Sequence, residues 1–261
     1  MSNINSLFRE RVGIPQNEMI TLENLDAVLE KTAKEIPFEN LCILDDRTAD
    51  ITEENLVNKI MKRNEGGLCY ELNSVLYLFL VENGFDTSLI RGVTYDQKNQ
   101  NWNSIGKTHV ANVVNHNEKL FIVDTGFGGN LPLKPVPLTG EVVTSANGEF
   151  RVVHTDSKHG DYIFYMKLKH KDENWKKGYA FHSKEIVGDI KELNEVQKII
   201  VEHPESPFNK KPLVTKLTDR GNMILTEDSF IQWVDGKMER KALHGDQFKK
   251  LAGKYFRIPL D

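Results

Sequence analysis

The sequence predicts an α+β chain: a helical bundle over residues 1–85, an antiparallel β-barrel over 86–190 and an α/β segment over 191–261. Three observations carry this. Apolar residues recur at helical spacing as far as Asn83; from Thr87 short alternating runs are punctuated by turn residues; past Phe181 helical spacing returns ahead of two more strand-like runs.

The first helix covers 22–31, where Leu22, Leu25, Val28 and Leu29 share a face behind the capping residue Thr21. A second covers 52–62, with Thr52 as cap, Glu53 and Glu54 complementing the helix dipole, and Leu56, Ile60 and Met61 facing inward. The third opens after Gly66-Gly67 and runs to Asn83, burying Leu68, Leu72, Val75, Leu76 and Phe79, with Gly84 as a left-handed C-terminal cap. Strands follow over 88–95, 108–114, 119–127, 142–153 and 161–170. Residues 184–202 read as helix, 214–226 and 229–243 as two short strands, and the end as a charged segment. No repeat or low-complexity tract interrupts them.

The chain has 261 residues, 39% apolar and 28% charged, the composition of an ordinary globular protein rather than a disordered or fibrous chain. A net charge of -4 leaves no basic footprint for nucleic acid. The start, MSNINSLFRERVGIPQNE, lacks the features of a secretory leader, and the apolar run at 74–81 is far short of the roughly 20 residues that cross a bilayer. The expectation is a soluble cytoplasmic protein with no membrane partner, either a monomer or a weak homo-oligomer. No His/Cys/Asp/Glu cluster has ligand spacing, so no metal is expected. Two cysteines are too few for a disulfide framework, and a reducing cytosol keeps them as thiols.

Cys42, in the apolar run NLCIL, reads as a small buried hydrophobe, the commonest role of a lone cysteine. Cys69 differs. It opens a helix behind two glycines, next to unpaired N–H groups and the positive end of the dipole, a setting that favours thiolate. A thiolate nucleophile needs a base, usually a histidine oriented by an acid. Of the eight histidines, only His109 has a derivable acidic strand partner. If 108–114 and 119–124 form a hairpin with its turn centred between His116 and Asn117, facing residues sum to 233, and His109 faces Asp124. A chance surface pair is the alternative.

PFENL, GGLCYELN, THVANVV and VDTGFGG, in that order, closely resemble the arylamine N-acetyltransferase family. Its nucleophile pattern, R-G-G-x-C-x-E-x-N, is met by Gly66, Gly67, Cys69, Glu71 and Asn73, with Glu65 where arginine is usual and Arg63 close by as a substitute. The resemblance implies a helical bundle, β-barrel and α/β lid around a cysteine-protease-like core. It also implies Cys69 as nucleophile, His109 as base and Asp124 as orienting acid, with Phe38, Thr108 and Phe127 in the acceptor pocket. The implied reaction is ping-pong acetyl transfer from acetyl-CoA to arylamines, arylhydrazines or N-hydroxyarylamines.

For the donor, GKT at 106–108 fails as a phosphate loop because Asn101 occupies the first glycine position. GFGG at 126–129 lacks the third glycine of a dinucleotide fingerprint, so Gly126 and Gly128 read instead as places where backbone approaches the acyl donor. Lys107, Lys211 and Lys216 are phosphate candidates, with a solvated surface lysine the safer reading of each. A cysteine hydrolase using the same triad and an inactive protein retaining the pocket remain as alternatives.

Overall fold

The computed structural model describes residues 4–260. It begins with α1 (Ile4–Val12), an element the sequence reading leaves out although Ile4, Phe8 and Val12 repeat every fourth residue and are all buried. A 3₁₀ turn at Leu22–Asn24 leads into α2 (Leu25–Glu35), followed by β1 (Phe38–Glu39) and α3 (Leu41–Leu44). The helix expected over 52–62 is α4 (Glu53–Leu56) continued by a π-helical turn, Val57–Lys62. Thr52 caps it, its hydroxyl accepting the Asn55 N–H at 3.2 Å. Next comes α5 (Cys69–Glu82), and Gly84 has the left-handed backbone expected of a cap. The predicted stripe of α5 is wholly buried, and Phe79 meets Phe8 of α1 at 4.3 Å between ring centroids.

Next come β2 (Asp86–Asp96), β3 (Asn101–Trp102), β4 (His109–His116), β5 (Lys119–Val123), β6 (Val136–Pro137), β7 (Val143–Ser145), β8 (Gly148–Ser157), β9 (Gly160–Leu168) and β10 (Lys176–Val187). They pair antiparallel in the order β6-β5-β4-β2-β10-β9-β8-β7, with β3 on β2. β6 also packs on β8, so the sheet rolls into a barrel around Ile90, Phe150, Phe164 and Tyr179. Lys184–Val187 do not start a helix. They extend β10, Ile186 and Val187 pairing with Ile90 and Leu89 beyond a bulge. The β-branched pair suits a strand, and helical structure waits for Asp189, whose carboxylate accepts the Lys191 N–H. α6 (Leu193–Glu202) follows.

The two strands expected near the end are each a hairpin: β11 (Leu213–Thr218) with β12 (Gly221–Thr226), and β13 (Ser229–Val234) with β14 (Lys237–Ala242). Asp235 and Gly236, with φ of 49° and 79°, make the two-residue turn that a continuous strand reading overlooks. The final charged segment folds as α7 (Gln247–Leu251) and a π-helical turn, Ala252–Phe256, packed on this sheet. β1 joins its edge, pairing Phe38 with Thr215 and Glu39 with Val214. Phe38 also bridges to Gly67, so one short strand ties the C-terminal sheet to the segment just ahead of Cys69. Among the described residues, no helix is long and apolar enough to cross a membrane.

Candidate active site

Cys69 is the first residue of α5, preceded by Leu68 in extended conformation (φ -90°, ψ 178°). The Glu71 carboxylate folds back to accept the Leu68 N–H at 2.9 Å and is held by Lys59 Nζ at 2.6 Å. The helix start is therefore anchored by a buried charge pair. A side chain at Gly66 would place its Cβ 2.1 Å from the Pro37 carbonyl, which is why glycine precedes the helix. The family's arginine position, Glu65, lies at 2.9 Å from Arg63 Nε and 3.5 Å from Arg47 Nη1. Arg63 is thus the partner of Glu65, and the cation beside Glu71 is Lys59.

His109 and Asp124 meet by a different register from the one expected. The β4–β5 turn is Asn117-Glu118, both with positive φ, and the observed pairs, such as Asn112 with Val123, sum to 235. The turn centre sits one residue later than predicted because Asn117 and Glu118 adopt the left-handed backbone of a tight hairpin turn. A change of two in the sum keeps every residue on its face, so His109 and Asp124 still point the same way, although they are not paired. His109 instead pairs with Gly92 of β2, and Asp124 follows the end of β5. His109 Nε2 and Asp124 Oδ2 are 2.8 Å apart, both buried.

Asp124 Oδ1 accepts Asn73 Nδ2 at 2.9 Å and the Gly126 N–H at 2.7 Å. Burial opposes its charge, but His109 and these donors outweigh it and hold the carboxyl below its usual range. Burial likewise opposes an imidazolium at His109. The Asp124 charge and hydrogen bond, joined by hydrogen bonding with Cys69, prevail and raise the ring to about 10. With Nε2 on the carboxylate, Nδ1 is the nitrogen left for the sulfur. Cys69 Sγ also lies 3.4 Å from the Thr108 carbonyl. The ring packs against Tyr179 and Phe127, at 4.4 and 4.9 Å between centroids, and those two rings also touch each other edge to face. Burial, then the charge of Asp124, keeps the Tyr179 phenol protonated far above its ordinary range.

A cavity of about 240 Å³ opens over Cys69 and His109, walled by Phe38, Phe127, Phe208 and Ile200. Thr108 and Gly126 line it too, so the structure gathers Phe38, Thr108, Phe127 and Gly126 beside Cys69 and His109. Gly126 is required by the protein itself, since a Cβ there would stand 2.6 Å from Cys69 Cα. Gly128, at φ +59°, faces Phe38 and Thr215 instead. The three lysines expected near phosphates are engaged elsewhere: Lys107 with Glu185, Lys211 with Glu227 at 3.3 Å, and Lys216 over the Phe256 ring.

Sequence reasoning gave no role to Asn73, Tyr179, Phe208 or Lys177. Asn73 was visible in the nucleophile motif, four residues and one helical turn from Cys69, hence on its face of α5. The others come from strands or loops with no local signal.

The sequence model described as N-acetyltransferase matches residues 21–261. A probable arylamine N-acetyltransferase 3 of Dictyostelium discoideum is 33% identical over 247 residues, covering 85% of this chain and 80% of its own length. The structure superposes on arylamine N-acetyltransferase C from Bacillus anthracis with a TM-score of 0.93 at 36% identity, over 99% of both chains. An arylamine N-acetyltransferase from Bacillus cereus, described as having a unique Cys-His-Glu catalytic triad, gives a TM-score of 0.93 at 40% identity over 100% of both.

Proposed function

The chain belongs to the arylamine N-acetyltransferase family, and on that premise we propose that Cys69, His109 and Asp124 carry its acetyl transfer from acetyl-CoA to an aromatic amine, hydrazine or N-hydroxyarylamine. The observation that carries this reading is the 2.8 Å His109–Asp124 contact beside a helix-opening cysteine. In the relative from Bacillus cereus the acid is described as glutamate; the residue on His109 here is Asp124.

The thiolate of Cys69 attacks the thioester carbonyl, and the oxyanion is met by the unpaired N–H groups that open α5. An imidazolium alongside is the arrangement that activates such a nucleophile. The C–S bond to CoA breaks and the leaving thiolate takes the His109 proton. The acceptor nitrogen then attacks the acetyl-cysteine, its proton passes to His109, and Cys69 departs as thiolate. Asp124 fixes the ring and balances its charge throughout. Phe38 and Phe127 give flat acceptors an apolar wall and keep water scarce, which favours aminolysis over hydrolysis.

The same reading treats residues 1–85, 86–190 and 191–261 as bundle, barrel and lid. It places the enzyme in the cytoplasm, as a monomer or weak homo-oligomer, where its two free cysteines stay reduced. CoA release from acetyl-CoA with and without an aromatic amine tests it. Release should depend on the amine and yield the acetylated product; equal release without amine would make the protein a hydrolase.

A further inference from the structure

Between Val110 and Val114, the face of β4 that packs on α5 is apolar except at one position. Val110 and Val114 belong to the bundle core, as do Leu89 and Val123, which pair with position 112 from the neighbouring strands. Position 112 itself is an asparagine with no exposed surface. Asn112 Nδ2 donates to the Asn73 carbonyl oxygen at 3.1 Å and to Asn73 Oδ1 at 3.2 Å, gripping backbone and side chain of one residue together. Its own Oδ1 is buried and accepts no hydrogen bond among the described residues, which costs stability in the middle of a core. Leucine or valine would fill the place without that cost. Asn73, by contrast, is fully used. Its Nδ2 donates to the Val110 carbonyl at 2.7 Å and to Asp124 Oδ1 at 2.9 Å, while its Oδ1 also accepts the Thr125 N–H at 3.1 Å and the Thr125 hydroxyl at 3.4 Å. The Thr125 N–H can only donate and the Val110 carbonyl can only accept, so the direction of the Asn73 amide is fixed.

His109 opens β4 three residues before Asn112, Cys69 opens α5 one helical turn before Asn73, and Asp124 and Thr125 follow the end of β5. The grip of Asn112 on Asn73 therefore joins the three segments that carry Cys69, His109 and Asp124. Apolar contact alone has no direction and would tolerate small slips of the helix on the sheet, whereas a buried hydrogen-bond network admits one arrangement. We propose that Asn112 is a positioning residue: by holding Asn73 it fixes α5 against β4, and so sets Cys69 relative to His109 with Asp124 behind the ring. The inference rests on the acetyl-transfer reading above, in which the same three residues serve both half-reactions. The unpaired Oδ1 is then the cost of a fixed geometry, not a defect of packing.

The test replaces Asn112 by leucine, which matches its shape without its hydrogen bonds. In Asn112→Leu, kcat should fall about tenfold, because a small misplacement of nucleophile and base slows both half-reactions alike. KM for acetyl-CoA and for an aromatic amine should stay within about twofold, and the urea midpoint should hold or rise. Asn112→Val repeats the test with a smaller side chain suited to a strand. In an Asn73→Ala background the leucine should cost about twofold at most, since the side chain it acts through is already gone. A kcat loss that travels with a lower midpoint, an unchanged kcat, or the same tenfold loss in the Asn73→Ala background would each overturn the proposal. Alkylation by iodoacetamide, followed on the peptide containing Cys69, needs no acetyl transfer and should slow at least about threefold in Asn112→Leu at about pH 7. If wild-type protein acetylates no amine yet this slowing is seen, the transfer reading fails and the positioning role stands. Equal alkylation of the two proteins would end the positioning role whatever the outcome for transfer.

Discussion

Cys42 and Cys69 are buried to the same degree, at 5% and 6% exposure, yet their surroundings carry opposite charge. Cys42 Sγ lies 3.2 Å from the Glu65 carboxylate, with Glu39 also near. Burial first, then these two carboxylates, push its thiol up to about 12 against the pull of Lys59. Cys69 sits at a helix N-terminus against an imidazole that Asp124 keeps protonated to about 10. Burial is thus the same at the two sulfurs; what differs is the neighbour, a carboxylate at Cys42 and an imidazole at Cys69, and the proposed division into an inert thiol and a nucleophile rests on that difference.

The contrast is broken most severely at the sulfur atoms. Cys69→Ser should abolish amine acetylation, a loss of more than about 10³-fold, while Cys42→Ser should leave turnover within about twofold. Steady-state acetylation assays separate the two, and comparable losses in both variants would end the distinction. Next comes the charge behind His109. Asp124→Asn should cost roughly 10² to 10⁴ in kcat with the fold retained by circular dichroism, because the ring loses both its orientation and its counter-charge.

The same pair leaves a mark on stability. A histidine raised from 6.5 to about 10 binds its proton more tightly when folded, so its contribution is whole below pH 6.5 and disappears as pH rises through about 10. Urea midpoints of the wild type should fall between pH 7 and 10. In His109→Gln that fall should be shallower, and parallel curves would remove the charge from the account. The smallest effect is expected at Glu65. Glu65→Gln should lower the titration of Cys42, which loses its nearest carboxylate, at a cost of about 1 kcal/mol in stability. Thiol alkylation as a function of pH reads this out, and an unmoved Cys42 profile would show that burial alone sets it.

How much of this was legible in the sequence depended on whether the signal was local. The helix that opens at Cys69, its glycine lead and its buried stripe all follow from spacing within a few turns of one element. The hairpin that brings His109 towards Asp124 was also legible, but its turn was misplaced by one residue, because left-handed backbone at Asn117 and Glu118 is a property of the turn and not of hydrophobic alternation. The contact survived because the shift in pairing was even, so both side chains kept their face. Tyr179, Phe208 and Lys177 were silent. They reach the site from β10 and the loop after α6, and only the pairing of β10 with β2 brings the first and last of them there. Likewise Glu65 announced a break in the motif, while Lys59, which supplies the cation next to Glu71, sits six residues upstream of it in the π-helical turn.

The most direct test of the two-thiol account is to mix the protein with acetyl-CoA without an acceptor, quench in acid, and map the acetyl group by peptide mass spectrometry. The account predicts a thioester on the peptide containing Cys69, absent from the one containing Cys42, that disappears when an aromatic amine is added before the quench. Acetyl on Cys42, or a Cys69 adduct that the amine does not discharge, would contradict it.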